Sequence, residues 1–309
     1  MSLNVTVVTW SYIACVTDRR LTRCDGKILS ERSTKLTCFD LQSGVRGFIT
    51  YNGIGCGADG ITPSDWIANL PLREGMSLKD LAELIKANAE PRIQALAPQF
   101  QGNPRHTFVI GAFVGAVPFL VQLSNYETLQ DEGVKALAAP SLSIEFVEAK
   151  SLTSRGAFIM TGATPQTKNS DKKKLIELLD NNATPNQIVA RTTKLIRDVS
   201  YRKDRIGTVG TSVLSGFWPQ FGGADVASNV VGGSWINEVP NFITPGARYS
   251  NIYIGSKPTQ AQRAMESGAA SDGKGRIAEA PCRACGAVVP EGYRRCGVCD
   301  HPVESEKQS

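Results

Sequence analysis

The sequence predicts an α+β fold, groups of strands alternating with pairs of helices, followed by a small metal-holding module. Three observations predict it. The pattern of apolar residues orders the chain as four strands, two helices, four strands, two helices and then further strands. Apolar residues make up 41% of the chain, and two stacked sheets flanked by helices bury a set of that size. Residues 281–309 carry a different signature, two Cys-x-x-Cys pairs.

The opening strands come first. Val5, Val7 and Trp10, then Tyr12 to Val16, are β-prone with partial alternation. Leu36 to Phe39 and Gly47 to Tyr51 repeat the pattern. A strand that begins almost at the terminus carries an α-amine into a sheet. That amine has a reference pKa of about 7.7–8.0 and can act as a base near neutral pH. Removal of Met1 is expected to expose Ser2, whose hydroxyl and amine then form a nucleophile and a base in one residue. Asp18 and Lys35 fall at strand ends, from which they can converge on Ser2. A nearby ammonium lowers the amine pKa and stabilises developing negative charge, and a carboxylate holds that ammonium. Gly53, in Asn52-Gly53-Ile54-Gly55, offers a backbone N–H that a substrate carbonyl can approach as an oxyanion.

Thr62-Pro63-Ser64-Asp65 reads as the cap and first turn of a short helix. Ser77 and Asp80 cap a second, with Leu78, Leu81, Leu84 and Ile85 as its apolar stripe, and Pro91 is expected to kink or restart it. Thr107 to Gly115 and Pro118 to Leu123 form a strand pair, with His106 at its edge and given no catalytic role. Ser143 to Val147 and Ala157 to Thr161 are two further strands. Asn169 or Ser170 caps a helix buried through Leu175, Ile176, Leu178 and Leu179, its Lys172-Lys173-Lys174 run facing water. Thr184-Pro185 opens the last long helix. A strand through Leu214 follows, and another is expected near Asn251 to Ile254. The Gly-rich stretch from Phe221 to Trp235 reads as a long loop or ribbon.

Residues 1–255 therefore form the main domain and residues 256–280, small and polar, a linker. In residues 281–309, Cys282, Cys285, Cys296 and Cys299 have the spacing of a compact zinc ribbon, eleven positions separating the two knuckles. Each Cys-x-x-Cys turn sets two thiolates on one ion, and two turns complete a tetrahedral site with Zn–S distances of about 2.3 Å. Four cysteines fill the site, so the zinc is structural and supplies folding energy to a segment with little core of its own. His301 is a neighbour rather than a ligand.

Composition excludes several classes. No apolar run is long enough to span a bilayer, and no secretory signal opens the chain. The net charge of +5 is spread along the chain, and basic residues of the tail are balanced by acidic ones, which argues against a membrane surface or nucleic acid as partner. Of the eight cysteines, Cys15, Cys24, Cys38 and Cys56 are scattered among strands and read as reduced, partly buried thiols, so a cytoplasmic location is expected.

The opening residues resemble the β-subunits of the proteasome and the related bacterial ATP-dependent ring protease. That family pairs an N-terminal Thr, or Ser, with an Asp-x-Arg motif sixteen positions on; here Asp18-Arg19-Arg20 follows Ser2 by sixteen. The resemblance makes Ser2 the nucleophile, Lys35 the catalytic lysine with about one residue inserted before it, Gly53 the oxyanion glycine and Arg20 a supporting residue. Tyr51 would line the substrate pocket, with Leu21, Ser33 and Thr37 as further candidates. Thr161-Gly162 stands where the family has a Ser-Gly that supports the nucleophile. Asp204, three residues before Gly207, stands where the family has an Asp near the terminal amine; Asp198 competes for that role, and Thr208 can supply the missing hydroxyl. The chain departs from the pattern in its terminal Ser, in Leu3 where a second Thr is common, and in having no propeptide expected before it. Thr6 is a rival nucleophile that misses the family spacing.

The element order is that of the four-layer αββα sandwich of these N-terminal-nucleophile (Ntn) hydrolases. The resemblance implies a peptidase without a catalytic cofactor, acting on peptides or unfolded protein. Ser2 Oγ attacks, its amine takes the proton directly or through water, and Lys35 paired with Asp18 sets the electrostatics. The family's members stack into homo-oligomeric rings, and an unfoldase or another protein would dock through the zinc ribbon. Two other classes stay open: an inactive Ntn scaffold that binds partners through the ribbon, and an amidase for small molecules.

Overall fold

The computed structural model describes residues 2–22, 27–41, 43–53, 55–56, 60–100, 102–129, 137–148, 156–202, 209–229, 235–237, 241–243, 280–281 and 288–289. Strand β1 (Leu3–Val8) is buried at every position, and so is β2 (Tyr12–Asp18), its antiparallel partner. Burial on both faces demands a covering layer on each side of the sheet. The alternation of β1 shows which layers these are. Leu3, Val5 and Val7 pack with Leu175, Leu179, Ile188, Leu195 and Ile196 of two helices, α3 (Asn169–Asp180) and α4 (Pro185–Ser200). Val8 instead joins Leu36, Cys38, Phe48 and Val109 of a second sheet. Ser2, Asn4 and Thr6 share that inner face by the period of two.

The first sheet runs β10 (Ala157–Gly162), β1, β2, β11 (Val213–Pro219), β12 (Asp225–Asn229), β13 (Trp235–Asn237), antiparallel throughout. The second runs β14 (Asn241–Ile243), β5 (Leu36–Leu41), β6 (Val45–Asn52), β7 (Thr107–Val114), β8 (Val117–Ser124), β9 (Ser143–Glu148). Its β14–β5 pairing is parallel and the rest are antiparallel. A short hairpin, β3 (Leu21–Thr22) and β4 (Ile28–Ser30), leaves the first sheet after β2. Phe39, Ile49, Phe108 and Ile110 form the outer face of the second sheet. They pack against Ile67 of α1 (Pro63–Ala68) and Leu81, Ile85 and Ile93 of α2 (Leu78–Leu96). Each such fully buried aliphatic side chain contributes about 1.5–3 kcal/mol. The layers are thus helices, sheet, sheet, helices. Asn4 Nδ2 donates across the inner space to the Tyr51 carbonyl at 2.6 Å and ties the two sheets beside Ser2.

The helix starts follow their caps. Thr62 with Asp65, Ser77 with Asp80 and Thr184 with Gln187 each close a reciprocal capping box. Two local expectations need correction. Pro91 does not restart α2, which continues through it to Leu96; it lies on the exposed side, where a missing N–H is tolerated. Helix α3 begins at Asn169 with Lys168 as its cap residue, whose backbone N–H donates to Asp171 at 3.2 Å. Of the two readings of the Gly-rich stretch, the structure shows the ribbon: β12 and β13 pair and extend the first sheet. Among the described residues no helix is long and apolar enough to cross a membrane. The expected strand at Asn251 to Ile254, linker residues 256–279, and Cys24 lie outside the described residues. Farther along the chain, β15 (Ala280–Pro281) and β16 (Val288–Val289) pair antiparallel.

Candidate active site

The site forms where β1 starts, β2 ends and β5 begins. Antiparallel pairing of β1 with β2 brings Asp18 back to the level of the terminus, since Asn4 pairs with Thr17. The Asp18 carboxylate then accepts four hydrogen bonds. Oδ1 takes the Leu3 N–H at 2.9 Å. Oδ2 takes the N–H of Arg20 at 3.1 Å, the N–H of Gly210 at 3.1 Å and Lys35 Nζ at 3.1 Å. A carboxylate is acceptor-only, with about four lone-pair sites to satisfy.

Lys35 is the other half of the pair. Its side chain is 1% exposed and that of Asp18 is 0% exposed. Nζ reaches Ser2 Oγ at 2.6 Å, the Arg20 carbonyl at 2.5 Å and Asp18 Oδ2 at 3.1 Å. Burial pushes its pKa below the usual lysine value, and Asp18 opposes the shift without cancelling it. The three neighbours are not equivalent. The carbonyl and the carboxylate can only accept, so they hold two N–H groups whatever the protonation state. The third direction points at Ser2 Oγ, which can donate. A neutral Lys35 therefore turns its lone pair to the Ser2 hydroxyl.

The segment leading to Lys35 is held by Arg19, a neighbour that the motif did not single out. Its guanidinium donates to the carbonyls of Arg32 at 2.5 Å and Ser33 at 3.3 Å, and its own carbonyl accepts the Ser33 N–H at 3.0 Å. Arg20, expected to support the site, does so through its backbone. Its guanidinium turns away to Glu31, at 2.8 Å.

Gly53 follows β6 with φ of +103°, and a Cβ there would lie 2.2 Å from the Arg105 carbonyl oxygen. Only glycine fits, for its backbone conformation and for this approach alike. Tyr51 is enclosed rather than open. It belongs to the apolar layer under α1 and α2, stacks on His106 and donates its hydroxyl to the Thr34 carbonyl at 3.2 Å. Thr37 is fully buried, and Leu21 packs against Gly55. A substrate side chain reaches Tyr51 or Thr37 only by displacing their neighbours; Ser33, half-buried, stands nearer the surface. Burial pushes His106 down to about 3, so it stays neutral within the core.

Thr161 pairs with Asn4 in the β10–β1 register, and its buried hydroxyl has no hydrogen-bond partner among the described residues. The Ser2 carbonyl is instead held by the next turn, accepting from Ala163 N–H at 2.8 Å. Thr6 lies inside the sheet, where Cys15 Sγ contacts its hydroxyl at 3.5 Å. Asp198 pairs with Lys194 on the solvent face of α4, at 3.4 Å. Asp204 and Thr208 lie outside the described residues, as do Cys282, Cys285, Cys296 and Cys299. Sequence reasoning missed the Gly210 N–H and the Arg20 carbonyl, because backbone donors and acceptors leave no residue-type signal. The one available hint was a glycine, Gly210, just before the strand β11; a Cβ there would press on Arg20 at 2.8 Å.

No protein-family model matches the sequence, and no curated protein does. Among solved structures the chain is similar to Anbu (ancestral β-subunit) from Yersinia bercovieri, with TM-score 0.47 and 15% identity over 70% of this chain and 81% of that one. It is similar to the chain in the helical assembly of the Anbu complex from Pseudomonas aeruginosa, with TM-score 0.47 and 14% identity over 85% and 90%. It is also similar to eukaryotic HslV from Trypanosoma brucei, with TM-score 0.33 and 11% identity over 64% and 91%.

Proposed function

We propose that this chain is a proteasome-like N-terminal-nucleophile hydrolase that cleaves amide bonds in peptides or unfolded protein with Ser2 after Met1 is removed. The observation that carries the reading is the buried contact of Lys35 Nζ with Ser2 Oγ at 2.6 Å, Lys35 itself being fixed by Asp18. A serine hydroxyl is a weak nucleophile until a base lies within hydrogen-bond reach.

In the proposed reaction, neutral Lys35 takes the Oγ proton as Oγ bonds to the substrate carbonyl carbon. The oxyanion that forms is met by the Gly53 N–H. Collapse expels the amine product, which leaves with a proton returned by Lys35 or by the Ser2 amine. Water then hydrolyses the Ser2 ester and regenerates the hydroxyl. The sequence reading assigns this proton to the Ser2 amine, directly or through water. Lys35 is proposed to take it here because its Nζ lies 2.6 Å from Oγ, with the amine as a second carrier and Asp204 proposed to act on that amine. The proposal extends to a homo-oligomeric ring that restricts access to unfolded chains.

The test is an intact mass before and after treatment with a β-lactone. Ring opening on Oγ adds the whole lactone with no leaving group, so one adduct of the full reagent mass is expected, mapped to Ser2 as the first residue. A chain that keeps Met1, or that exposes Ser2 and takes up no lactone, sinks the proposal.

The tail is assigned a structural zinc on Cys282, Cys285, Cys296 and Cys299. The pairing of Ala280 with Val289 and of Pro281 with Val288 supports this reading, since the first Cys-x-x-Cys lies between these two paired strands in the sequence. The expected content is one zinc per chain by elemental mass spectrometry. Chelation should unfold the tail, read as protease sensitivity confined to residues 281–309, while lactone uptake at Ser2 changes less than twofold. Zinc-free protein with an equally resistant tail would remove the assignment. A partner protein, an unfoldase among the candidates, is proposed to dock on this module.

A further inference from the structure

One buried carboxylate near Ser2 has no part in the reaction above. Strand β8 ends at Ser124, and the chain turns through Asn125, Tyr126 and Glu127. The turn is rigidly held. Ser124 Oγ accepts the Glu127 N–H at 2.9 Å, Asn125 Oδ1 accepts the His106 N–H at 2.9 Å, and Asn125 Nδ2 donates to the Pro104 carbonyl at 2.9 Å. Glu127 is 6% exposed. Its two oxygens reach different sheets. Oε2 accepts from Thr107 Oγ1, at the start of β7, at 2.7 Å. Oε1 accepts from Gly162 N–H, at the end of β10, at 3.0 Å.

Gly162 is the residue that Ser2 leans on. It pairs with Leu3, and the position its Cβ would take lies 2.1 Å from the Ser2 carbonyl oxygen. The next residue donates the hydrogen bond that holds that carbonyl. Meanwhile Tyr126 donates its hydroxyl to Asn52 Oδ1 at 3.0 Å, and Asn52 immediately precedes Gly53. One turn of the second sheet therefore grips both sides of the site, the nucleophile through Gly162 and the oxyanion glycine through Asn52. Burying a carboxylate carries a large desolvation cost. Two well-made hydrogen bonds at this place offset part of it, and through them the carboxylate fixes the peptide plane that sets Ser2 against Lys35.

We propose that Glu127 is a positioning residue for Ser2, acting through Gly162. The proposal rests on the Ser2 reading above. A reacting atom misplaced by about 1 Å loses on the order of 10²-fold in rate. Glu127→Ala removes the acceptor of Gly162 and should slow the saturating rate of Ser2 acylation by a β-lactone at least tenfold. The half-saturating lactone concentration should stay within twofold, because Glu127 is placed to hold Ser2 rather than to meet a substrate. Glu127→Gln should restore the rate to within threefold of wild type. Its carbonyl can accept from Gly162, and its amide can donate to Thr107, whose hydroxyl then turns to Ser124 Oγ, 2.7 Å away.

Amide hydrogen exchange on the same proteins separates this claim from the Ser2 reading. In Glu127→Ala, exchange should quicken in peptides covering residues 3–8 and 157–163 and stay unchanged elsewhere. If wild type takes up no lactone, the Ser2 reading fails, and the exchange pattern alone decides whether Glu127 positions the terminus. Labelling at the wild-type rate in Glu127→Ala overturns the proposal. So does exchange that is unchanged in both segments, or that is quickened equally throughout the chain.

Discussion

Lys35→Met should slow acylation of Ser2 by about 10²–10⁴-fold, the usual contribution of a positioned base. Methionine keeps much of the apolar stem in its buried place, so the lost function is the amine and not the packing. Of the three contacts of Nζ, only that with Ser2 Oγ lies on the reacting atom. The variant also leaves Asp18 buried without its cation. Breaking one half of a buried pair costs about 3–5 kcal/mol, offset here by the three backbone N–H donors that Asp18 retains. A urea titration read alongside the labelling rate separates the two effects. Lactone uptake at the wild-type rate in a folded Lys35→Met protein would remove Lys35 from the mechanism.

The pH dependence follows from the same shift. Lys35 is pushed below its usual value of 10.5 in the folded chain, and burial is the largest cause. In the window between the lowered value and 10.5, the unfolded chain binds the proton that the folded chain has released. Stability from this group therefore rises with pH across that window and is lost as pH falls through the folded value. The acylation rate should rise over the same lower limb and reach a plateau, with its midpoint below 10.5. Lys35→Met should lack both slopes. A rate that continues to climb to pH 10.5 would mean that the lysine is not the titrating base.

Gly162→Ala should be severely damaging. The residue has φ of +90°, which costs an alanine about 1–2 kcal/mol by itself. The new Cβ would also fall 2.1 Å from the Ser2 carbonyl oxygen and 3.1 Å from its carbon. Both are backbone atoms of the segment that leads into β1, so no rotamer change relieves the overlap. Either β1 peels from β10 at its first residues or β10 shifts and breaks the Glu127 bond to Gly162. We expect a loss of about 3–5 kcal/mol, in the range that large single substitutions reach, and no detectable lactone uptake. The comparison is Gly115→Ala in the β7–β8 turn, where φ is +59° but nothing lies within 4 Å of the added carbon. That variant carries the backbone term alone and should label normally. Equal melting temperatures for the two would show that the contact with Ser2 has no weight.

Much of this was legible in the chain. The caps at Thr62, Ser77 and Thr184 and the apolar stripes of α2 and α4 are interactions between near neighbours, so their signals stand side by side in the sequence. Ser2, Asp18 and Lys35 could be singled out because a hydroxyl, a carboxylate and an amine are residue types suited to nucleophilic chemistry and their spacing places them at strand ends. The structure sets Lys35 within hydrogen-bond reach of both Ser2 and Asp18. That α2 runs through Pro91 without restarting was not legible, because its tolerance there depends on which side of the helix faces water, a matter of packing. The strands β12 and β13 were hidden because a glycine-rich stretch pairs only when an open sheet edge is already there to receive it.

By itself, then, the sequence determined the order of the main strands and helices (without the short β3–β4 pair), the starts of α1, α2 and α4, and which residue types stand near the terminus. Each of these rests on local periodicity or on residue type. Only the tertiary structure decided the rest. It enclosed Tyr51 and Thr37 under the helices, since β5 and β6 turn those positions to the outer face. It supplied Asp18 with Gly210 and Lys35 with the Arg20 carbonyl, and it set Glu127 against Gly162. Contacts of this kind are made by backbone atoms or between residues far apart in the chain, as Asp18 with Gly210 shows. Such contacts exist only once two sheets have closed on each other, and no window of sequence contains both partners.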